Sequence, residues 1–169
     1  MIKSLRGKSP NFGKHCYIDE TAYVCGDVTT GENCMICPYA SIRGDINSIT
    51  IGNNSNVQEF ASLHTRTDNR LCIGNNVVIG HGAILHGCTI QDNCIIGSGA
   101  IIMDGVTVES GCIIGAGTVV AGKKTIAANQ VVIGNPFRLL RMATEADKKE
   151  IALNVKEYVN LIDDYLEEK

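Results

Sequence analysis

Residues 73–102 read IGNNVVIGHGAILHGCTIQDNCIIGSGAII, and this stretch decides the fold. A large aliphatic side chain returns at Ile73, Ile79, Leu85, Ile90, Ile96 and Ile102, six residues apart except for one shorter step. Glycine often follows it, as at Gly74, Gly80 and Gly97, and four residues on stands a small side chain such as Val77, Ala83, Cys94 or Ala100. This period matches neither the 3.6 of a helix nor the alternation of a long strand. It suits short strands that turn a corner every six residues, each flat burying one large and one small side chain. Three flats close a coil of about 18 residues, and stacked coils share one inner core.

The ladder extends outward in both directions. Upstream it runs Ile18, Val24, Thr30, Ile36 and Ile42, then Ile51, Val57 and Leu63; downstream it runs Val108, Ile114, Val120, Ile126 and Val132. Extra residues intrude between Ile42 and Ile51 and between Leu63 and Ile73, and one is missing between Leu85 and Ile90. Such breaks mark places where something other than coil packing is needed. The spacing predicts an all-β solenoid over 18–135, preceded by a lead-in over 1–17. After Pro136 the pattern changes, giving a linker over 136–143 and a helix over 144–169. Thr144-Glu-Ala-Asp reads as a capping box, and Ile151, Val155, Tyr158, Val159, Ile162, Tyr165 and Leu166 form the apolar stripe. A helix of ~24 residues spans ~36 Å, close to the ~30 Å of six or seven coils at ~4.8 Å. It is therefore predicted to lie packed alongside the prism.

The length suits one domain, and the balance of 44% apolar and 20% charged residues is that of a soluble globular chain. A net charge of −3 provides no basic footprint, which argues against nucleic acid and anionic membrane as partners. No apolar run approaches the ~18 residues of a spanning helix, and no apolar segment follows the basic N-terminus as in a secretory signal. The eight cysteines follow the repeat, with Cys34, Cys94 and Cys112 at the small inward position. Free thiols, and hence a cytoplasmic setting, are expected.

His64, His81 and His86 are three of only four histidines. Labelling the flats A, B and C in chain order puts Leu63 on A, Ile73 on B, Ile79 on C and Leu85 back on A. His64 and His86 each follow a flat-A ladder residue, so both project outward, one coil (roughly 5 Å) apart, and Arg43 occupies the same column one coil below. Two imidazoles so related can share one ion. His81 follows Ile79 by two residues and is expected on flat C, facing away from the pair. A cyclic homotrimer reunites the three, if flat A of one subunit meets flat C of the next. The plainer alternative is that the rings merely cap loops or make interface hydrogen bonds.

The ladder resembles the hexapeptide-repeat family over residues 18 to 135, which implies a left-handed parallel β-helix. Ile42-Arg43-Gly44-Asp45, Asn56-Val57-Gln58-Glu59, His64, Gly80-His81 and His86-Gly87-Cys88 together resemble the γ-class carbonic anhydrases. That resemblance implies zinc, or iron or cobalt, held between subunits by His64 and His86 of one chain and His81 of the next. It implies hydration of carbon dioxide as the activity, with a metal lowering the pKa of bound water toward ~7. By the same resemblance Gln58 orients the metal-bound oxygen, and Arg43 and Asp45 join subunits and shape the site, or form an interface ion pair alone. Glu59 is expected to accept a proton or to hold a supporting contact. Three departures predict slow turnover or none: the loop Thr65–Cys72 is short and more basic than acidic, Ile46 follows Asp45 where the prototype branch has a glutamate, and no tyrosine stands near Leu153 and Asn154, with Tyr158 out of register. Competing readings are a hexapeptide acyltransferase using acyl-CoA, with a histidine as general base, and a catalytically silent metal-binding scaffold.

Overall fold

The computed structural model describes residues 1–167 of the chain; the last two residues of the predicted helix, Glu168 and Lys169, lie outside the described residues. The ladder becomes a parallel β-solenoid. Flat C stacks seven parallel rungs: Tyr17–Ile18, Met35–Ile36, Asn56–Val57, Val78–Ile79, Ile95–Ile96, Ile113–Ile114 and Gln130–Ile133. Flats A and B belong to one sheet, because Tyr23–Thr30 and Ser41–Ile51 run through the corner and contribute to both. Above them flat A continues with Ser62–His64, Ile84–His86, Ile101–Ile102 and Val119–Val120.

Ladder residues pair in register from rung to rung, Ile42 with Leu63, Leu63 with Leu85, Leu85 with Ile102. Their side chains fill one continuous core in which Ile36, Leu63, Leu85, Ile96 and Ile114 are fully buried. Cys34, Cys94 and Cys112 are buried at the predicted small positions. The solenoid reaches further than the ladder. Ile2–Lys3 pairs with Val24–Cys25 on flat A and Asn11 bridges Thr29, so the lead-in builds an opening coil. The stretch after Pro136 is also ordered: Arg138–Met142 runs antiparallel to Gln130–Ile133.

The corner between flats B and C carries one residue per coil in the left-handed region. Asn33, Asn54, Asn76, Asn93 and Asn129 sit there with φ between 55 and 58°. Asparagine tolerates this region better than other residues with a side chain beyond Cβ. The amides form a ladder in which Asn33 Nδ2 donates to Asn54 Oδ1, Asn54 to Asn76 and Asn76 to Asn93, at 3.0–3.1 Å. Gly111 takes the same corner position between Asn93 and Asn129, with φ 76°.

The capping box forms as read: Thr144 N donates to Asp147 Oδ2 at 2.7 Å, and Asp147 N donates to Thr144 Oγ1 at 3.3 Å. From this cap the helix Glu145–Glu167 runs back along flat C. Ile151 and Val155 pack on Val78, Ile95 and Ile113, while Ile162 reaches Tyr17, Met35 and Cys37 near the opening coils. No helix among the described residues is long and apolar enough to cross a membrane.

All eight cysteines are free thiols. Cys16 and Cys72 are half-buried and the other six buried, and the pKa values of Cys16 and Cys112 are both lowered. A hydrogen bond from the Cys34 thiol outweighs partial desolvation and pulls the Cys16 pKa down to about 6. Iodoacetamide at neutral pH is therefore expected to modify Cys16 ahead of the other seven, with its rate rising through pH ~6. Peptide mapping checks this, and earlier labelling of Cys34 would contradict it. Ile96→Ala, which empties a fully buried mid-prism position, is expected to cost about 2–5 kcal/mol in denaturant unfolding.

Candidate metal centre

Parallel register delivers the first two rings. His64 and His86 are cross-strand partners at the outer end of flat A, with Arg43 paired beneath His64. Their ring centroids are 5.1 Å apart, and His64 Nδ1 faces His86 Nε2 at 3.1 Å. The remaining ring nitrogens are held by carboxylates: His64 Nε2 lies 2.9 Å from Asp45 Oδ1, and His86 Nδ1 lies 2.8 Å from Asp104 Oδ1. An ionised carboxylate only accepts. With both N–H groups donated to these carboxylates the rings turn lone pairs toward each other; in the other His64 tautomer Nε2 accepts from Arg43 Nη2 and Nδ1–H donates to His86 Nε2. Two facing lone pairs repel unless a proton or a cation lies between them. Two ligands at 2.0–2.1 Å from a tetrahedral centre are about 3.4 Å apart, so the observed spacing fits a shared metal ion.

Arg43 completes this cluster. Its Nη1 is 3.5 Å from Asp45 Oδ2 and its Nη2 is 3.1 Å from His64 Nε2. Partial burial raises the Asp45 pKa, but the His64 hydrogen bond and the Arg43 charge outweigh it, leaving the carboxyl below its ordinary value. The breaks in the ladder build the rest. The extra residues after Ile42 carry Asp45 out to His64. The loop after His64 closes on itself through paired Arg66 and Asn69, and Asn47 Nδ2 clips it by donating to Thr67 O at 2.9 Å. The shortened step after Leu85 is made by Gly87, at φ 52°. A Cβ there would meet Asp104 Oδ1 at 2.4 Å, so glycine leaves the space through which Asp104 reaches His86.

His81 departs from its expected place. It lies on the turn between flats C and A rather than on flat C, and its side chain is 54% exposed. The outer surface of flat C is covered by the terminal helix, which buries Tyr17, Met35, Cys37 and Val78 beneath it. Flat C is therefore closed to a neighbouring flat A, whereas the corner that carries His81 is exposed. His81 Nδ1 is held by Glu59 Oε2 at 2.6 Å, one coil below, which leaves Nε2 open. Gln58 precedes Glu59, is buried, and donates from Nε2 to Asn56 Oδ1 at 3.2 Å. Asn56 Nδ2 is buried with no partner among the described residues.

The predicted site residues thus form two half-sites, at opposite ends of flat A. Arg43, Asp45, His64 and His86 make one; Gln58, Glu59 and His81 make the other. Among the described residues no three potential ligands converge within the chain. Tyr158 belongs with the second half-site: desolvation first, then the nearby Cys37 and Glu59, push its pKa up to about 12. Asp104 is the residue the sequence reading missed. One coil of 18 residues beyond His86 lands on it, a signal that needed only counting.

His15 provides the internal contrast. Both of its nitrogens are taken, by Asn33 Oδ1 at 2.9 Å and Asp163 Oδ1 at 2.7 Å, so it ties the first coils to the helix. Nitrogen NMR of the metal-free protein is expected to show His86 fixed as the Nδ1–H tautomer. Asp104→Ala should release that preference while leaving His15 unchanged; an unaltered His86 would show that Asp104 does not set it.

Comparison with known proteins identifies the family and the fold. Residues 73–102 and 87–122 match the model of the bacterial transferase hexapeptide repeats. The chain is 48% identical to the "Probable carbonic anhydrase" of Methanocaldococcus jannaschii over 88% of this chain and 93% of that protein. It is 43% identical to "Gamma carbonic anhydrase 3, mitochondrial" of Arabidopsis thaliana over 91% of its length, spanning 62% of that longer protein. The solved structure of the BC4754 gene product of Bacillus cereus superposes with a TM-score of 0.97 at 33% identity, covering 99% of this chain and 98% of that one. The chain belongs to the γ-carbonic anhydrase-like family of hexapeptide-repeat proteins.

Proposed function

We propose that the protein catalyses the reversible hydration of carbon dioxide as a metal-dependent homotrimer. His64 and His86 of one subunit and His81 of the next would hold one zinc ion, or iron(II) or cobalt(II), at each interface. One observation carries this reading: three of the four histidines are tethered through one nitrogen to a carboxylate and offer the other, the arrangement that orients imidazole ligands. A divalent ion bound there makes hydroxide available near neutral pH.

The chain's own residues would do the rest. Asp45, Asp104 and Glu59 fix the tautomer of each ring, and Arg43 holds Asp45 in place. Gln58, anchored on Asn56, would offer its amide to the reacting oxygen, while Glu59 stays on His81 as its orienting contact. The clipped loop 65–70 carries one carboxylate, the exposed Asp68, against two arginines. Its Arg66 lies 3.8 Å from Asp104, which favours slow turnover. Surface composition supports association at the corner. Tyr39 and Phe60 stack there at 5.3 Å, are 59% and 67% exposed, and hold φ of 60 and 62°. Bulky side chains in that region are strained, so exposing both without a partner would have no evident benefit. The free thiols favour a reducing compartment such as the cytoplasm.

The repeat-family description favours a second reading, an acyltransferase that uses acyl-CoA. In that case a histidine would act as general base, and the tethering of three rings would be superfluous. Elemental analysis of the purified trimer is expected to give close to one divalent ion per chain, and stopped-flow assays to give slow hydration. His81→Ala should lose the metal yet keep the far-UV spectrum and unfolding midpoint, because its ring is exposed. A folded, metal-free wild-type protein would refute the proposal; metal without hydration would leave a silent scaffold. Acceptor-dependent thiol release from acetyl-CoA, screened with hydroxyl and amine acceptors, would favour the transferase.

A further inference from the structure

We propose that Cys16 and Cys34 form a hydroperoxide-reactive thiol pair, in which Cys16 meets the oxidant and Cys34 closes a disulfide upon it, independently of the metal centre. The repeat places them together. Tyr17 and Met35 are register partners on the first two rungs of flat C, so the cysteine before each stands at the same position on adjacent coils. Tyr17 N donates to Cys34 O at 3.0 Å, and Cys34 N donates to Cys16 Sγ at 3.4 Å. Coils stack ~4.8 Å apart, inside the Cα separations of about 4.4–6.8 Å that a disulfide spans.

The two sulfurs differ in their surroundings. Cys16 is half-buried, on the opening coil at the edge of its sheet, while Cys34 is fully buried behind it. Cys16 Sγ accepts from the Cys34 amide and lies 3.7 Å from Thr30 Oγ1. Hydrogen bonding from the Cys34 side chain, helped by charge on the neighbouring His15, holds the Cys16 thiol below its ordinary pKa despite partial burial. Cys34 Sγ lies against two carbonyls, Gly52 O at 3.1 Å and Glu32 O at 3.6 Å, acceptors that keep it a thiol. Reactivity of cysteine follows thiolate character and exposure together, and Cys16 has both.

Two contrasts within the chain show what such a pair needs. Cys94 and Cys112 occupy the same inward position on adjacent coils further along, yet both are fully buried, out of an oxidant's reach. Cys72 is half-buried, but its register partners on either side are threonines, Thr50 and Thr89. Cys16 combines an approach from solvent with a thiol stacked on it.

The chemistry balances with a hydroperoxide as oxidant. The Cys16 thiolate attacks one peroxide oxygen, the O–O bond breaks, and the departing oxygen leaves protonated, as water from hydrogen peroxide. Cys16 is then a sulfenic acid. Cys34 Sγ attacks Cys16 Sγ, the S–O bond breaks, and the hydroxyl leaves as water with the Cys34 proton. Two thiols lose two electrons to the peroxide, and the product ties the opening coil to the second.

Hydrogen peroxide at neutral pH, followed by thiol blocking and digestion without reduction, tests this on the full-length protein. Cleavage after Glu20 and Glu32 puts Cys16, Cys25 and Cys34 on separate peptides. The peptide of Cys16 is expected to emerge linked to that of Cys34, reversibly with dithiothreitol, and to react about tenfold faster than Cys72. Cys34→Ser has a precedent in Ser55, which holds the same position one coil up and donates to Gly74 O at 2.9 Å. That variant should lose the link and accumulate a dimedone-reactive sulfenic acid on Cys16. Cys72→Ser should form the link as the wild type does. Persistent sulfenic acid on Cys16 of the wild type, a link from Cys16 to any other cysteine, or equal oxidation of Cys16 and Cys72 would overturn the assignment. The wild-type map decides alone if a variant fails to fold.

Discussion

Everything in this molecule depends on parallel hydrogen bonding between successive coils. Each backbone N–H on one rung donates to the rung above or below, so that Gln58 N reaches Ile79 O and Ile84 N reaches Ala100 O. The coil is thereby locked at ~4.8 Å per step. A residue's position within its coil then becomes its position in space. The inward ladder buries aliphatic side chains by this rule. The outward columns stack like residues on like: asparagine on asparagine at one corner, arginine and two histidines on flat A. Amide ladders and imidazole pairs are two uses of one constraint.

The constraint also explains why the histidines require carboxylates. Stacking alone would bring two imidazoles together with undefined tautomers. Asp45 enters through the extra residues after Ile42, and Asp104, one regular coil beyond His86, reaches it through the room left by Gly87 at the shortened step. The departures from periodicity are therefore the parts that make the site. An unbroken ladder would build a sound prism with two rings on its surface and nothing to set which nitrogen each presents.

Much of the fold was legible because its signal is repeated at nearly every turn. Ile18 to Val132 defined the flats, and the outward projection of His64 and His86 followed from counting alone. The helix was legible through its cap, Thr144 to Asp147. Other features lacked a repeated signal. Ile2–Lys3 joins flat A without a ladder residue before it, and Arg138–Met142 adds a strand whose sequence has no alternation. His81 was misassigned because stepping by six does not say where a flat ends, and Gly80 and Gly82 widen the corner at that point. The helix's choice of flat depended on which outward column is apolar. Tyr17, Met35, Cys37 and Val78 mark it, but they are scattered across four coils and become a surface only once stacked.

The two half-sites carry the remaining physical argument. Flat A is three residues wide, and its ends bear complementary halves: a pair of lone-pair nitrogens at one, a single open nitrogen at the other. Within one chain they point away from each other, and flat C, the alternative meeting face, is closed by the helix. In the proposed homotrimer, rotation of a second copy about an axis parallel to the prism would bring the corner of one chain toward the outer end of flat A in the next. Three copies would close such a ring with every half-site used once. An open arrangement would leave one pair of lone pairs facing without a cation and one exposed aromatic stack uncovered at each end. In the proposed trimer, an ion that a neighbour's histidine helps to hold would stand between His64 Nδ1 and His86 Nε2 where a proton otherwise lies, which would tie the chemistry of the site to closure of the assembly.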